Sequence, residues 1–178
     1  MVYCTTHPSP VGRITLACDD DAIVGLWMEG QKYILGSIAE PMIPKDDCPL
    51  LTAAKQWLDR YFSGEKPAAD ELALRPIGGE FRQEVWAMLR QIPYGEVITY
   101  AEIAKKIAHR QGRKSMSAQA VGGAVGHNPI SILIPCHRVV GSNGCLTGYA
   151  GGLEAKKKLL ELEGVDQSKL FWPKKGNG

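Results

Sequence analysis

The sequence contains no apolar run long enough to cross a lipid bilayer. Residues 1–5 include no basic stretch leading into an apolar core, so we expect a cytoplasmic protein that is not exported. The five cysteines are odd in number and irregularly spaced, which favours free thiols, at least one of them a candidate reactive group. A length of 178 residues fits one large or two small domains and leaves no room for a separate activator domain.

Charge is unevenly distributed along the chain. Residues 1–75 carry 7 Lys and Arg against 11 Asp and Glu, a net −4, whereas residues 76–178 carry 14 against 8, a net +6. A polyanionic partner for the second half is plausible, although many basic surfaces are only solvated.

The first half has the pattern of a small α/β unit. Residues 11–17 and 22–28 are β-rich, and three aspartates at 19–21 supply turn chemistry, so a hairpin is expected. Apolar residues at helical spacing over 50–62 predict a helix that ends near Gly64. Leu72 and Leu74 suggest one more short strand. Either 65–70 or 76–79 could link the halves, and we place the boundary at the second.

The second half has helical periodicity. Residues 81–92 present one apolar face, and Thr99 and Glu102 form a capping-box pattern that opens the next helix. A basic turn over 109–114 follows, and Ser117 can cap a helix from 118 to about 127. Two short helices across such a turn are a helix-turn-helix candidate, and a last helix ends near Gly164.

The second helix of this pair contains Gly122, Gly123 and Gly126, each costing about 1 kcal/mol of helix propensity relative to alanine. Glycine allows another surface to come close. Spacing alone favours tight internal packing, while the basic turn keeps a polynucleotide partner open.

A Cys-His pair follows the apolar run 130–134, which we expect to be a buried strand. Cys136 could be a nucleophile with His137 or Arg138 favouring its thiolate, or simply a buried structural thiol. In an extended segment His137 would point away from the Cys136 sulfur, so a turn or a bridging water would be required, along with a carboxylate to orient the imidazole.

Residues 134–140, Ile-Pro-Cys-His-Arg-Val-Val, resemble the active-site signature of the O6-alkylguanine-DNA alkyltransferases, also called methylated-DNA–protein-cysteine methyltransferases. Further segments of that family are similar to three other stretches of this chain: residues 92–100, residues 120–124 with Asn128-Pro129, and residues 149–153. The resemblance is continuous over about 81–164 and looser across the first half. It implies an α+β protein of two domains: a ribonuclease-H-like α/β domain in 1–78 and a mostly α-helical, winged-helix-like DNA-binding domain in 79–172, with a flexible tail at 173–178.

The resemblance implies repair of alkylated DNA by direct reversal, with the damaged guanine flipped out of the duplex. Cys136 would accept the alkyl group, His137 would take the thiol proton through a water, and Glu163 would orient His137. Tyr100 would donate toward guanine N3 and crowd the phosphate so that the nucleotide rotates, and Asn128 would form a hinge.

Further residues are implied on the substrate side. The carbonyls of Val139 and Cys136 would accept from the guanine exocyclic amine, the Ala150 amide would meet O6, and Tyr149 would form a wall of the pocket. Arg138 belongs to the same segment, and the resemblance implies that it braces the fold. The recognition helix would enter the minor groove of double-stranded alkylated DNA through these residues: Gln119, Ala120, Gly122 and Gly123. We expect a monomer that needs no cofactor.

Two positions depart from the family pattern. The family carries an arginine at the position of Gln119, where it replaces the flipped base in the stack, and glutamine lacks its charge and planar guanidinium. Arg110 or Arg113 could substitute for it. Some members also bind zinc through Cys and His in the first domain. Here the candidate ligands would be Cys4, His7, Cys18 and Cys48, but their spacing is not a recognised zinc pattern and Ile23 stands at an expected histidine ligand, so we predict no metal.

Two other functions compete with repair. A helix-turn-helix module could bind DNA without chemistry, although family relatives of that kind lack the acceptor cysteine. A cysteine hydrolase could use Cys136 and His137, but its base usually lies far from the nucleophile in sequence.

Overall fold

The computed structural model describes residues 1–31 and 38–172, and the chain divides into two compact units. The first consists of Met1–Gly78 with Pro129–Leu133, and the second of Gly79–Asn128 with the residues from Ile134 onward. The tail predicted for 173–178 lies outside the described residues.

The first unit is built on a four-stranded sheet. Its strands are β1 (Val2–His7), β2 (Ile14–Cys18), β3 (Ile23–Met28) and β4 (Met42–Pro44), in the order β3-β2-β1-β4. β2 runs antiparallel to both β1 and β3, while β4 is parallel to β1. Sequence patterning missed β1 and β4, because neither has a clear alternation of apolar and polar residues.

The predicted hairpin between β2 and β3 is confirmed. Asp19 makes its turn, since the Oδ1 atom accepts from the amides of Asp21 at 2.8 Å and Ala22 at 2.9 Å. The predicted helix is α1 (Pro49–Phe62), whose buried residues pack against the sheet. The strand expected at Leu72 and Leu74 is wrong, because that segment makes one isolated bridge, from Leu74 to Ile23.

The cysteines of this unit lie on different faces of the sheet. Cys4 pairs with Ala17 and packs in the cluster around Trp27, whereas Cys18 is on the opposite face. The Cys18 sulfur lies 3.3 Å from that of Cys48, at the start of α1. Within the described residues, no three His, Cys, Asp or Glu side chains are grouped to hold a metal ion.

The apolar run before Cys136 is buried as predicted, but it is not a strand. Leu26 donates to the Pro129 carbonyl at 2.9 Å and accepts from the Ser131 amide at 3.1 Å, after which the chain turns. Ile132 occupies the left-handed region at φ 69°, a strained conformation for a β-branched residue. The strand prediction failed because apolar runs of this length also occur in buried turns.

The second unit is mostly helical. Its helices are α2 (Glu80–Leu89), α3 (Tyr100–Arg110), α4 (Ala118–Gly126) and α5 (Leu153–Leu162), and β5 (Ile98–Thr99) pairs in parallel with β6 (Val139–Val140). The Trp86 indole donates to the Ala124 carbonyl at 2.8 Å and so fixes α2 against α4. None of the helices in the described part of the chain is long and apolar enough to span a membrane.

Both predicted helix starts in the helix-turn-helix are confirmed. Thr99 and Glu102 form a reciprocal capping box, in which the Glu102 amide donates to the Thr99 hydroxyl and the Thr99 amide to the Glu102 carboxylate. Ser117 accepts from the Ala120 amide at 3.2 Å and starts α4.

Candidate functional site

Cys136, His137 and Arg138 form one turn of 3₁₀ helix, not an extended segment. The Cys136 amide donates back to the Ile134 carbonyl at 2.8 Å, and the Val139 amide donates to the Cys136 carbonyl. Cys136 is 3% exposed and His137 is fully buried. The turn weakens the geometric objection that adjacent extended residues face opposite ways, because neighbouring side chains on a 3₁₀ turn diverge by about 120° and not by about 180°.

The carboxylate of Glu163, the residue just after α5, accepts hydrogen bonds from the side chains of this turn. It accepts from His137 Nε2 at 2.6 Å, from Arg138 Nε at 2.7 Å and Nη2 at 3.1 Å, and from the Gly95 amide at 3.2 Å. Arg138 also donates to the Ile92 carbonyl at 2.7 Å. Its guanidinium therefore braces the fold, the role that the sequence comparison implied.

These contacts set the protonation of the pair. Burial opposes ionisation of Glu163, but hydrogen bonds from His137 and Arg138 and the charge of Arg138 hold the pKa of this carboxyl well below its ordinary value. Burial lowers the pKa of His137, against the opposing effect of Glu163. His137 is thus neutral at pH 7, and because a carboxylate only accepts, Nε2 carries the proton.

The second ring nitrogen of His137 is consequently the basic one. Nδ1 is buried and has no hydrogen-bond partner among the described residues. A neutral imidazole fixed in this tautomer by a carboxylate is suited to take a proton through Nδ1.

Lys156 on α5 is a site residue that sequence reasoning missed. Its side chain is fully buried, and Nζ donates to the Val139 carbonyl at 2.5 Å and to the Thr147 carbonyl at 3.0 Å. Burial lowers the pKa of Lys156 to about 8, while its electrostatic interaction with Cys136 acts in the opposite sense. The residue is therefore a buried cation that interacts electrostatically with Cys136, and such positive charge favours a thiolate.

The only sequence signal for Lys156 is its position in α5. It lies three residues before Leu159 and four before Leu160, on the buried side of that helix. A lysine there is more often a chain whose head reaches solvent, so the pattern alone could not identify it.

Two tyrosines flank the ammonium of Lys156. The ring centroids of Tyr100 and Tyr149 each lie 6.0 Å from Nζ, at the outer limit for a cation–π contact. The Tyr100 hydroxyl lies 3.5 Å from the Gly148 carbonyl, and burial raises the pKa of Tyr100, so the hydroxyl remains a proton donor at neutral pH. Ala150 follows in a turn that closes with a 2.9 Å bond from the Gly152 amide to the Tyr149 carbonyl.

A cavity of about 710 Å³ lies between α4 and the loop before α5. Four residues singled out in the sequence line it: Tyr100, Gln119, Gly122 and Gly123. Ala120, on the same helix, is exposed but does not line it.

The glycines of α4 are not needed for internal packing, which corrects the interpretation that spacing alone favours. A Cβ atom at Gly123 or Gly126 would meet nothing within 4 Å, and one at Gly122 would approach Tyr100 only at 3.8 Å, an ordinary contact. Their cost in helix propensity is therefore not offset by packing among the described residues. The open surface they leave suits the approach of a partner from outside.

Asn128 is buried just after α4, and its side-chain amide donates to the Ile134 carbonyl at 2.8 Å. These two residues bracket Pro129–Leu133, so the bond closes the base of that segment and fixes the start of the Cys136 turn. Val139, the residue after the turn, is buried in β6.

The carbonyls implied to receive the guanine amine both take part in internal hydrogen bonds. The Val139 carbonyl accepts from Lys156 and the Cys136 carbonyl from the Val139 amide.

Residues 80–165 match the family profile described as 6-O-methylguanine DNA methyltransferase, DNA binding domain, and residues 2–76 match its ribonuclease-like domain. Both matches confirm the predicted fold class and the resemblance noted from the sequence.

Proteins named methylated-DNA–protein-cysteine methyltransferase are similar over most of the chain. The one from Haemophilus influenzae is 42% identical over 92% of this chain and 87% of its own, and the one from Methanosarcina acetivorans is 42% identical over 92% and 99%. The crystal structure of Mycobacterium tuberculosis OGT in complex with DNA superposes with a TM-score of 0.78 at 39% identity, covering 94% of both chains.

Proposed function

The chain belongs to the methylated-DNA–protein-cysteine methyltransferases, which repair DNA by direct reversal of damage, and we propose that the acceptor of the alkyl group is the sulfur of Cys136. The observation that carries this assignment is the buried hydrogen bond between His137 and Glu163. His137 is the residue next to Cys136, and the bond leaves His137 Nδ1 as the basic atom.

The transfer is a single displacement. His137 Nδ1 takes the Cys136 thiol proton through a water, and the thiolate sulfur attacks the alkyl carbon on guanine O6. A carbon–sulfur bond forms as the carbon–oxygen bond breaks, and the electron pair stays with the guanine. The proton removed from sulfur balances the proton that guanine regains, so no redox partner or cofactor enters the reaction.

The surrounding groups would stabilise the leaving guanine. The Tyr100 hydroxyl donates toward N3, where negative charge develops, and the Ala150 amide donates to O6. The Val139 and Cys136 carbonyls accept from the exocyclic amine, and Tyr149 forms a wall. Lys156 fixes the Val139 carbonyl and adds positive charge beside the sulfur.

The DNA partner is a double strand bound through its minor groove. The open glycine surface of α4 lets backbone approach the duplex, and the cavity lined by Tyr100 and Gln119 is the entrance that we propose for the flipped guanine. Sequence discrimination should be weak, because the minor groove presents a degenerate pattern. The protein acts in the cytoplasm as a monomer.

The product is a thioether, which water does not cleave, so each molecule reacts once. Intact-mass spectrometry after incubation with an O6-methylguanine duplex tests the proposal. We expect a gain of one methyl group per protein, located on Cys136 by peptide mapping and absent in Cys136→Ser.

The same measurement separates the competing functions. A binding module would gain no mass, and a cysteine hydrolase would turn over without lasting modification. A methyl group on another cysteine, or lesion removal by Cys136→Ser, would overturn the assignment.

A further inference from the structure

A long part of the second unit contains no carboxylate. Between Glu102 and Glu154 the chain has no Asp or Glu at all. The same stretch contains six lysines and arginines: Lys105, Lys106, Arg110, Arg113, Lys114 and Arg138. Among the described residues, Arg138 alone of the six forms an ion pair, with Glu163, and the other five are exposed along α3 and in the turn that follows.

None of those five forms an ion pair within residues 1–31 and 38–172. The carboxylate of Glu84 reaches this segment, where it accepts from the Gln111 amide at 2.9 Å, and Arg113 Nη1 donates to the oxygen of the same Gln111 side chain at 3.5 Å. The segment 109–114, called here the basic turn, therefore carries exposed positive charge that no ion pair among the described residues neutralises, and a polyanion is the partner that it complements.

The basic turn has a defined conformation. The Arg113 amide donates to the Ala108 carbonyl at 2.8 Å, and the Gly112 amide donates to the His109 carbonyl at 3.2 Å. These two hydrogen bonds are those of a Schellman motif, in which Gly112 occupies the left-handed conformation at φ 66°. The backbone thus presents Arg113 and Lys114 from a fixed position, which lowers the entropy lost when a ligand binds.

A second cavity, of about 390 Å³, adjoins both this turn and the larger cavity beside α4. Arg113, Lys114 and Lys105 lie on its lining, and small residues of α3 form its floor. It shares Ala101 and Ala118 with the cavity that contains Tyr100 and Gln119. A strand whose damaged nucleotide occupies the larger cavity can therefore continue over the smaller one.

We propose that the basic turn is a phosphate-binding surface that holds the DNA backbone next to the flipped nucleotide, with Arg113 and Lys114 as its principal contacts. The inference rests on the proposed function, since it takes the duplex as the ligand. Contacts to the DNA backbone contribute binding affinity without distinguishing base sequence. They offset part of the DNA affinity that α4 loses because it has Gln119 in place of an arginine.

The test measures binding of an unmodified duplex by fluorescence anisotropy as a function of salt. The double variant Arg113→Gln, Lys114→Gln should lower the slope of log affinity against log salt by about 1 to 2, since each phosphate contact contributes about 0.9. The charge-preserving exchange Arg113→Lys, Lys114→Arg should keep the wild-type slope. Arg13→Gln with Lys158→Gln, which removes one exposed arginine and one exposed lysine elsewhere, should also keep it.

Methyl transfer from the free base O6-methylguanine, which has no phosphate, separates this inference from the proposed function. We expect the Gln double variant to react with the free base at the wild-type rate. A wild-type slope in that variant, or a slowed reaction with the free base, would overturn the inference. Absence of methyl transfer by the wild type would instead overturn the proposed function.

Discussion

His137 and Glu163, 26 residues apart in sequence, meet at 2.6 Å between Nε2 and Oε2, and both side chains are fully buried. Because Arg138 also donates to the same carboxylate, Glu163 stays ionised while His137 stays neutral. The carboxylate thus fixes the tautomer in which Nδ1 is basic.

Replacing Glu163 by glutamine should slow methyl transfer by roughly 10²- to 10⁴-fold, the usual contribution of a positioned base. The amide can donate to Nε2, which would place the imidazole proton on Nδ1 and remove the basic atom. Single-turnover rates on a methylated duplex measure the effect. Glu161→Gln, an exposed position on the same helix, is the matched control, and a wild-type rate in Glu163→Gln would contradict the role given to the pair.

The lowered pKa of His137 predicts a pH dependence of the rate. Methyl transfer should lose activity at low pH with a midpoint below 6.5, the ordinary pKa of histidine, because only neutral His137 accepts the thiol proton. A rate profile from pH 4.5 to 8 measures it, and a midpoint above 6.5 would contradict the assignment.

The free energy of unfolding should also decrease as pH falls. The pKa values of both His137 and Glu163 are lower in the folded state, so the unfolded chain binds more protons and stability falls as pH falls. The part due to Glu163 is lost as pH falls below about 4.5, its ordinary pKa. Urea unfolding should therefore show the advantage of wild type over Glu163→Gln shrinking in that range.

Replacing Lys156 by methionine should slow transfer by at least roughly 10-fold. The Val139 and Thr147 carbonyls lose their donor, and the cation beside Cys136 disappears. Lys158→Met, on the exposed side of α5, is the control, and equal rates for both variants would contradict a role for Lys156.

Lys156 also makes a distinct prediction for stability. Its folded pKa of about 8 lies below the ordinary 10.5, so the unfolded chain binds more protons between these values and stability rises with pH, by up to about 3 kcal/mol. Lys156→Met should lack this rise in urea unfolding between pH 8 and 10.5.

Gly123→Ala should leave the fold as stable as wild type or stabilise it by up to about 1 kcal/mol, since a Cβ there meets nothing within 4 Å. Duplex affinity and transfer from the duplex should fall, while transfer from free O6-methylguanine should not change. Gly126→Ala, equally open but outside the cavity lining, is the control. Unchanged duplex affinity in Gly123→Ala would show that α4 does not approach DNA at this position.

Gln119→Arg should raise the single-turnover rate on a methylated duplex, because a guanidinium in the cavity lining can stack in place of the flipped base. Gln91→Arg, which adds the same charge at an exposed position after α2, controls for charge alone. An unchanged or lower rate would show that Gln119 already fills the place of the flipped base, or that Arg110 or Arg113 substitutes for the missing arginine.

Features that depend on neighbouring residues were predictable from the sequence. The Thr99–Glu102 capping box, the Ser117 cap and the Asp19 turn each involve groups three or fewer residues apart, so residue type and spacing determine them. The Cys-His-Arg segment was likewise evident as a motif, and its resemblance to a family extended the prediction to Glu163.

Tertiary structure decided the features that depend on distant contacts. The burial of Lys156, the turn at Ile132 and the open surface at Gly123 have no local signature, because each depends on which atoms the rest of the fold places nearby. By itself the sequence predicted the capped helix starts and singled out Cys136 and His137 as the candidate reactive pair. The fold determined which ring nitrogen is basic and which cation interacts with the sulfur, because in a buried site both depend on groups from elsewhere in the chain.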